Sequence, residues 1–513
     1  MRRQFFMTGD KIWIPIACKK QTKKLSVYRN ERQLYELQIP AGEIGAKGYA
    51  CDYYAPVPLA DCMGSTVILE GDFPEEFFLG IKFREEPPVQ ERRPALHFTA
   101  NTGWVNDPNG LVYADGIYHL FFQYNPFDSE WSNMSWGHAV SRDLLHWEQW
   151  ETVLYPDENG TMFSGCGLKN EKGLLGLDRD TLLFFYSAAG GTNEWSGGKE
   201  FTQRIAYSTD GGKTLCKTNR GVLPTIKKEN RDPKIFWHCE SEAYIMSLWL
   251  EGNTFAILRS ADLEQWKTVQ AIELEDAWEC PDLLRFTFED GSEKWIFWSA
   301  DGYYFPGDFD GWQFVPDKTR GRAYANDLAY AAQTWSGVDD RIISIPWLRT
   351  KNAGKCYKGS FGLPREFSLI KEDNTYILCQ KPVREWTQAK KKVLHKTGFK
   401  ADGRVICLAE PETAYEINVV FQGNSEVYWS LSGSSLSYNP VTGVLKFESR
   451  EIIFPQKLTQ LSVIADADIL EISDEKGAAL AYFEVENKEE QAEQKEIGIF
   501  GEELDEVLIF AVK

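Results

Sequence analysis

Three short segments of the chain set a carboxylate among proline, asparagine, arginine, tryptophan and cysteine: WVNDPNG (Trp104 to Gly110), NRDPK (Asn230 to Lys234) and WECPD (Trp278 to Asp282). Asp107 and Asp232 each precede a proline, which biases both toward extended backbone. Taken singly, an Asp-Pro pair reads as a turn more often than as a site. Taken together, the three segments point to carboxylate chemistry, with one acid ionised and another holding a proton. The acids are remote in sequence: 125 residues separate Asp107 from Asp232, and 47 separate Asp232 from Glu279. Only the fold can bring them to one place.

The elements that must do so read as strands. GIYHLFFQY (Gly116 to Tyr124), TLLFFYS (Thr181 to Ser187), AYIMSLWL (Ala243 to Leu250) and KWIFWS (Lys294 to Ser299) are rich in β-branched and aromatic residues and are bounded by turn formers. No long amphipathic pattern stands out, so the predicted class is all-β. SRDLLHW (Ser141 to Trp147) and SADLEQW (Ser260 to Trp266) share one frame, and STDGGKT (Ser208 to Thr214) echoes its first half. Asp143, Asp210 and Asp262 are spaced by 67 and 52 residues, near the period of about 40–50 residues of propeller blades once insertions are allowed. The stretch between the two expected linkers, about 290 residues, divides into roughly five blades of four strands. In a propeller the innermost strands of successive blades converge on one axis, so carboxylates a hundred residues apart can share a pocket.

REEPPVQERRP (Arg84 to Pro94) has the prolines and charges of a linker, and TQAKKK after Trp386 marks a second break. The expected organisation is a β-rich accessory domain over residues 1–92, a five-bladed propeller over 93–386 and a third piece of short strands over 387–513. Strands are expected in the first piece at Lys11 to Ile16, Glu36 to Ile39, Thr66 to Glu70 and Phe77 to Phe83, and in the last at Ala414 to Phe421, Val444 to Glu448 and Leu480 to Val485.

Composition narrows the partners. In 513 residues, 56 basic against 76 acidic side chains leave a net charge of −20, which repels nucleic acid and anionic lipid surfaces. No window approaches the roughly 20 uncharged apolar residues of a membrane helix. The opening MRRQFFMTGDKIW has no apolar core of a secretion signal. A cytoplasmic location is therefore expected, or a secreted one if a signal has been removed. Ten cysteines without CxxC pairing read as free thiols, and neither a metal nor a cofactor is expected.

WVNDPNG, RDP and WECPD in this order resemble the β-fructosidases of glycoside hydrolase family 32, which includes invertases, levanases and inulinases. The likeness runs through QYNP (Gln123 to Pro126), WSNMSWGH (Trp131 to His138), FSG (Phe163 to Gly165), AYAAQ (Ala329 to Gln333) and LPREFSL (Leu363 to Leu369), and more faintly into Leu461 to Gly477, which resembles the family's C-terminal β-sandwich and implies that sandwich over 387–513. The resemblance implies Asp107 as nucleophile, Glu279 as general acid/base and Asp232 as a stabiliser that binds sugar hydroxyls. Such a retaining pair works with its carboxyls about 5–5.5 Å apart. Asn106 and Asn109 flank Asp107 and could keep it charged. Trp104, Asn106, Gln123, Trp131, Phe163, Ser164, Arg231 and Trp347 are implied to line the fructose subsite, with Arg231 available to pair with a pocket carboxylate. His138 is read as a structural hydrogen-bonding histidine and Cys280 as a small packing residue. The chain departs from the family pattern at ANDLAYAAQ, where Asp327 looks displaced, and at Pro346 before Trp347.

YSAAGGTN and QRIAYSTDGGKT resemble the exo-fructanase branch. The implied function is release of terminal β-D-fructose from levan- or inulin-type fructans or fructo-oligosaccharides, with sucrose also accepted. Four alternatives stay open: an invertase acting on sucrose or sucrose phosphate, a fructosyltransferase, a carbohydrate-binding propeller without catalysis, and terminal domains that act as polysaccharide- or partner-binding modules.

Overall fold

The computed structural model describes residues 1–45, 48–85, 89–373, 375–399, 403–410, 413–431, 433–485 and 495–512. Residues 86–88 of the expected linker lie outside them. Strands dominate, and the two α-helices among the described residues, Glu75–Leu79 and Arg384–Ala389, are five and six residues long. No helix among the described residues is long and apolar enough to cross a membrane. None of the ten cysteines is in a disulfide.

Between Gly103 and Pro382 lie five mainly antiparallel sheets. They open with the strands Gly103–Ala114, Thr161–Lys169, Arg231–His238, Asp282–Thr287 and Ala329–Thr334, and each opening strand pairs with the next strand of the chain. These five strands face one another. Lys234 Nζ donates to the Thr334 carbonyl at 2.6 Å, Thr334 Oγ1 donates to Asp282 at 2.6 Å, and Gln333 Nε2 donates to the Gly165 carbonyl at 3.1 Å. The last sheet is joined to the first, since Ser336 N–H donates to Leu111 and Tyr113 N–H donates back to Ser336.

The repeated Ser-x-Asp frame is a turn that leads out of the third strand of its sheet. Each Ser hydroxyl donates to its Asp, at 3.0, 2.7 and 3.0 Å for Asp143, Asp210 and Asp262. The carboxylate then accepts N–H groups of the following residues, the local bonding by which Asp builds turns. The residue after each Asp takes a left-handed conformation: Leu144 (φ 63°), Gly211 (φ 71°) and Leu263 (φ 64°). A fourth copy sits at Asp310, followed by Gly311 (φ 85°) and accepting N–H bonds from Trp312 and Gln313. It lacks the Ser that the other three share, with Asp308 in its place.

The N-terminal residues form a four-stranded sheet and the pair Lys11–Ile16 with Tyr53–Pro58. Their buried side chains make one cluster that also takes in Phe127 and Tyr155 of the first central sheet. Phe77 to Phe83, expected as a strand, is instead the helix Glu75–Leu79 and the loop after it. Pro74 precedes the helix, Glu75 and Glu76 occupy its first turn, and Phe73 stacks on Phe77 at 4.2 Å. Acidic residues and a preceding proline favour a helix start, and they outweigh the apolar run FFLGIKF.

The break after Trp386 also has structure, namely the helix Arg384–Ala389 and the strand Lys391–Thr397. Beyond it two six-stranded sheets share one core, with Val405, Trp429, Leu436 and Ile499 from one and Ile417, Val463, Ile472 and Ile509 from the other. This part is fixed to the centre by a buried ionic knot. His97 contacts Asp466 at 2.9 Å and Glu471 at 3.0 Å, and Arg365 of the fifth sheet pairs with Glu471. Burial by itself lowers the His97 pKa, but the two carboxylates outweigh it and raise it to about 9. Burial would likewise raise Glu471, yet Arg365 and His97 hold it at about 2.

Candidate active site

The three acids converge at the ends of the opening strands. Asp107 belongs to Gly103–Ala114, Asp232 to Arg231–His238, and Glu279 to the turn entering Asp282–Thr287. Cys280, directly after Glu279, locates all three. Its thiol sulfur lies 3.7 Å from Asp107 Oδ2 and 3.6 Å from Asp232 Oδ2, and its N–H donates to Asp232 at 3.2 Å. The carboxyl of Glu279 is held on both sides. Arg231 pairs with one oxygen, and the Tyr330 hydroxyl donates to the other at 2.7 Å.

Asp107 accepts hydrogen bonds from Ser164 Oγ at 2.7 Å and from Asn106 at 3.1 Å. The expected second asparagine does not serve it, because the Asn109 amide is engaged by Gln123, Pro108 and Ser164. Burial raises the Asp107 pKa, with Ser164 and Asn106 opposing and the charge of Glu279 adding to the rise. Burial also lifts Asp232, which Arg231 opposes and the other two acids reinforce, so that it reaches about 7. Asp232 therefore keeps a proton more readily than an ordinary carboxyl and can donate to, as well as accept from, a hydroxyl. Burial and the neighbouring acids push the Cys280 thiol up, keeping it protonated and poorly nucleophilic.

Regular pleating would not aim these side chains. Four of the five opening strands gain one extra residue where their site residues lie, at Val105–Pro108, Met162–Gly165, Arg231–Lys234 and Tyr330–Gln333. A bulge of this kind bends a strand and re-aims a side chain. Asp232 (φ 64°) and Ala331 (φ 51°) take left-handed backbone within two of them, and Glu279 (φ 49°) and Cys280 (φ 39°) do so in the turn of the fourth sheet. Asp232 thus departs from the extended backbone expected before Pro233. Ser187 holds it by accepting its N–H at 3.0 Å. Asp107 stays within its strand as expected.

Around the acids lie the residues singled out from the sequence. Trp104 N–H donates to Asn106 at 2.9 Å, and its ring meets Trp347 edge to face at 5.9 Å. Trp131, 54% exposed, meets Phe163 edge to face at 6.1 Å. Gln123 donates to the Met162 carbonyl at 2.8 Å. Arg231 lies over Trp249 at 3.9 Å, which fixes its plane against Glu279. Such walls suit a sugar, aromatic faces taking its C–H groups and amides its hydroxyls. Asp327 pairs with Arg322 at the surface, and His138 is buried against His119 at 3.0 Å. Tyr330 was not foreseen as a site residue, although AYAAQ contains it. Asp301 was not foreseen either; burial chiefly, with the charge of Glu279 adding and Arg349 opposing, lifts it to about 6.

Residues 97–382 match the glycosyl hydrolases family 32 N-terminal domain. A levanase of Bacillus subtilis (strain 168) is 33% identical over 370 residues, 65% of this chain and 53% of that protein. A fructan beta-fructosidase of Streptococcus mutans serotype c is 34% identical over 328 residues, 57% of this chain and 22% of that protein. The chain thus spans about half of the first relative and about a fifth of the second. A solved structure of a glycoside hydrolase family 32 protein from Bifidobacterium adolescentis shares the fold with a TM-score of 0.66 at 18% identity, covering 100% of this chain and 99% of that one. The family match takes in more than half of the 513 residues and contains all three converging acids, and the chain belongs to glycosyl hydrolase family 32.

Proposed function

We propose that this protein is a retaining β-fructosidase that releases terminal β-D-fructose from levan- or inulin-type fructans or fructo-oligosaccharides, and from sucrose. The observation that carries the reading is the contact of Cys280 with both Asp107 and Asp232, residues far apart in the chain, with Glu279 directly before it. Asp107 attacks the anomeric carbon while Glu279 gives its proton to the departing glycosidic oxygen. A fructosyl-Asp107 ester forms, Glu279 takes a proton from water, and that water opens the ester with the β configuration kept. Asp232 exchanges hydrogen bonds with a sugar hydroxyl, a role suited to a carboxyl titrating near 7. In this reading the five central sheets are the blades of a five-bladed propeller over 93–386. Residues 387–513 are a β-sandwich and residues 1–92 an accessory domain.

The test is fructose release from kestose, inulin, levan and sucrose, with the anomer followed by NMR from the first turnover. β-Fructose appearing first, and loss of release by about 10²–10⁴-fold in Glu279→Gln and in Asp107→Asn, is the expected result. First appearance of α-fructose refutes the ester. Binding of kestose with no release by the wild type would instead favour a carbohydrate-binding protein.

A further inference from the structure

The N-terminal residues grip the loop that carries Trp131. In chain order, the Tyr53 hydroxyl donates to the Pro126 carbonyl at 3.0 Å, Phe127 is fully buried in the N-terminal cluster, and Lys19 N–H donates to Asp128 at 3.0 Å. The loop ends at Asn133, which docks on the edge strand Arg32–Pro40 as a neighbouring strand would. Gln38 N–H donates to Asn133 Oδ1 at 2.7 Å, and Asn133 Nδ2 donates to the Gln38 carbonyl at 2.9 Å. Asn133 Nδ2 also reaches Asn125, whose own amide donates to the Glu130 carbonyl at 2.8 Å. Trp131 therefore sits between two pinned residues.

The same strand holds the loop on the other side of the Trp131–Phe163 corner. Glu36, buried, accepts the N–H of Glu194 at 2.8 Å, and Lys24 pairs with the Glu194 carboxylate. Thr192, in that loop, meets Thr161 hydroxyl to hydroxyl at 2.9 Å, two residues before Phe163. An exposed indole between two loops is a useful sugar wall only if it is rigid, because a mobile ring gives back in ordering what it gains in contact.

We propose that residues 1–92 are part of the sugar site: through the Gln38–Asn133 bridge they position Trp131, and so set the affinity for fructose-containing oligosaccharides. Asn133 is a positioning residue here. The inference rests on the proposed hydrolase reading for the identity of the sugar.

The test is Asn133→Gly, alone and combined with Trp131→Ala, in the full chain. Glycine keeps the left-handed backbone of Asn133 (φ 45°) and removes both bonds to Gln38 together with the 3.1 Å bond to Asn125. Asn125→Ala, which removes the latter and leaves both bonds to Gln38, is expected to raise KM by less than about twofold, and an equal rise in it overturns the proposal. KM for kestose is expected to rise about five- to tenfold with kcat held within about twofold, since none of the three acids is touched. In the Trp131→Ala background the same change is expected to add nothing further to KM, which marks action through Trp131. Amide exchange is expected to quicken over residues 127–133 in Asn133→Gly. An unchanged KM, or an equal rise with and without Trp131, overturns the proposal, even where thermal stability has dropped. A wild type that releases no fructose is a failure of the hydrolase reading. Calorimetric affinity for kestose then replaces KM in the same comparison of variants.

Discussion

Replacing Ser164 with alanine tests whether Asp107 is held ready as an anion. The hydroxyl donates to Asp107 Oδ2 at 2.7 Å, the shorter of two oxygen and nitrogen donors to that carboxyl; Asn106 at 3.1 Å remains after the change. Burial already raises the Asp107 pKa, and the charge of Glu279 adds to it, so Ser164 is what chiefly opposes the rise. A hydrogen bond to a charged group is worth about 1.5–3 kcal/mol. Its loss destabilises the carboxylate relative to the acid, which moves the acidic limb of kcat/KM toward higher pH. Below that limb, where only the ionised fraction reacts, kcat/KM is expected to fall roughly 10- to 100-fold, and the loss shrinks on the plateau. Initial rates of fructose release from kestose between about pH 4 and 8 read this directly. A loss of equal size at every pH refutes the reasoning, because it assigns Ser164 to substrate contact alone.

Tyr330→Phe removes the 2.7 Å donor from Glu279 and leaves Arg231 in place; kcat is expected to fall about tenfold with little change in KM, and an unchanged kcat discards Tyr330 as a partner of the acid. Lys234→Met strips Asp282 of a buried cation 3.2 Å away; chemical denaturation is expected to show a loss of about 3–5 kcal/mol, and a neutral result means Thr334 alone satisfies Asp282. For the ionic knot, His97 rises from 6.5 to about 9 on folding, so its stabilisation is complete below about 6.5 and is lost as pH rises through 9. Glu471, held at about 2, stabilises above 4.5 and loses this as pH falls toward 2. The denaturation midpoint is expected to fall between pH 7 and 10 in the wild type and to stay flat in His97→Gln; an unaltered alkaline decline in the variant assigns it elsewhere.

Much of the strand pattern was legible because the central strands are buried on both faces. Ile117–Asn125, Leu182–Ala189 and Ala243–Glu251 have almost no exposed residue, and such strands read as unbroken apolar runs. The converging acids were legible only jointly, from three Pro- and Trp-rich segments, since no local pattern distinguishes a catalytic Asp-Pro from a turn. Tyr330 was not, because its hydroxyl reaches Glu279 across two sheets and depends on the bulge after it. The role of Asn133 was equally hidden. Its partners are the backbone N–H and carbonyl of Gln38, 95 residues earlier, and backbone groups leave no mark on a sequence. Phe77 to Phe83 misled for the opposite reason, as a short apolar run fits strand and helix alike.

Four of the positions that break local backbone rules gather at the site. Asp232, Glu279, Cys280 and Ala331 all hold left-handed backbone without being glycine, and all lie beside the acids. Each such residue costs about 1–3 kcal/mol and survives only where its surroundings over-determine it. Here they do: Ser187 accepts from Asp232, Asp232 accepts from Cys280, and Arg231 and Tyr330 clamp Glu279. The regular sheets below supply the stability that tolerates the strain. An opening strand without its bulge would pair in better register with its neighbour, yet the side chains before the missing residue would turn to the opposite face relative to those after it. Deleting a bulge residue, Pro233 for example, is therefore expected to spare much of the fold while swinging Asp232 away from Cys280. A deletion variant that still cleaved kestose at the wild-type rate would show that the irregular strands are incidental to the site.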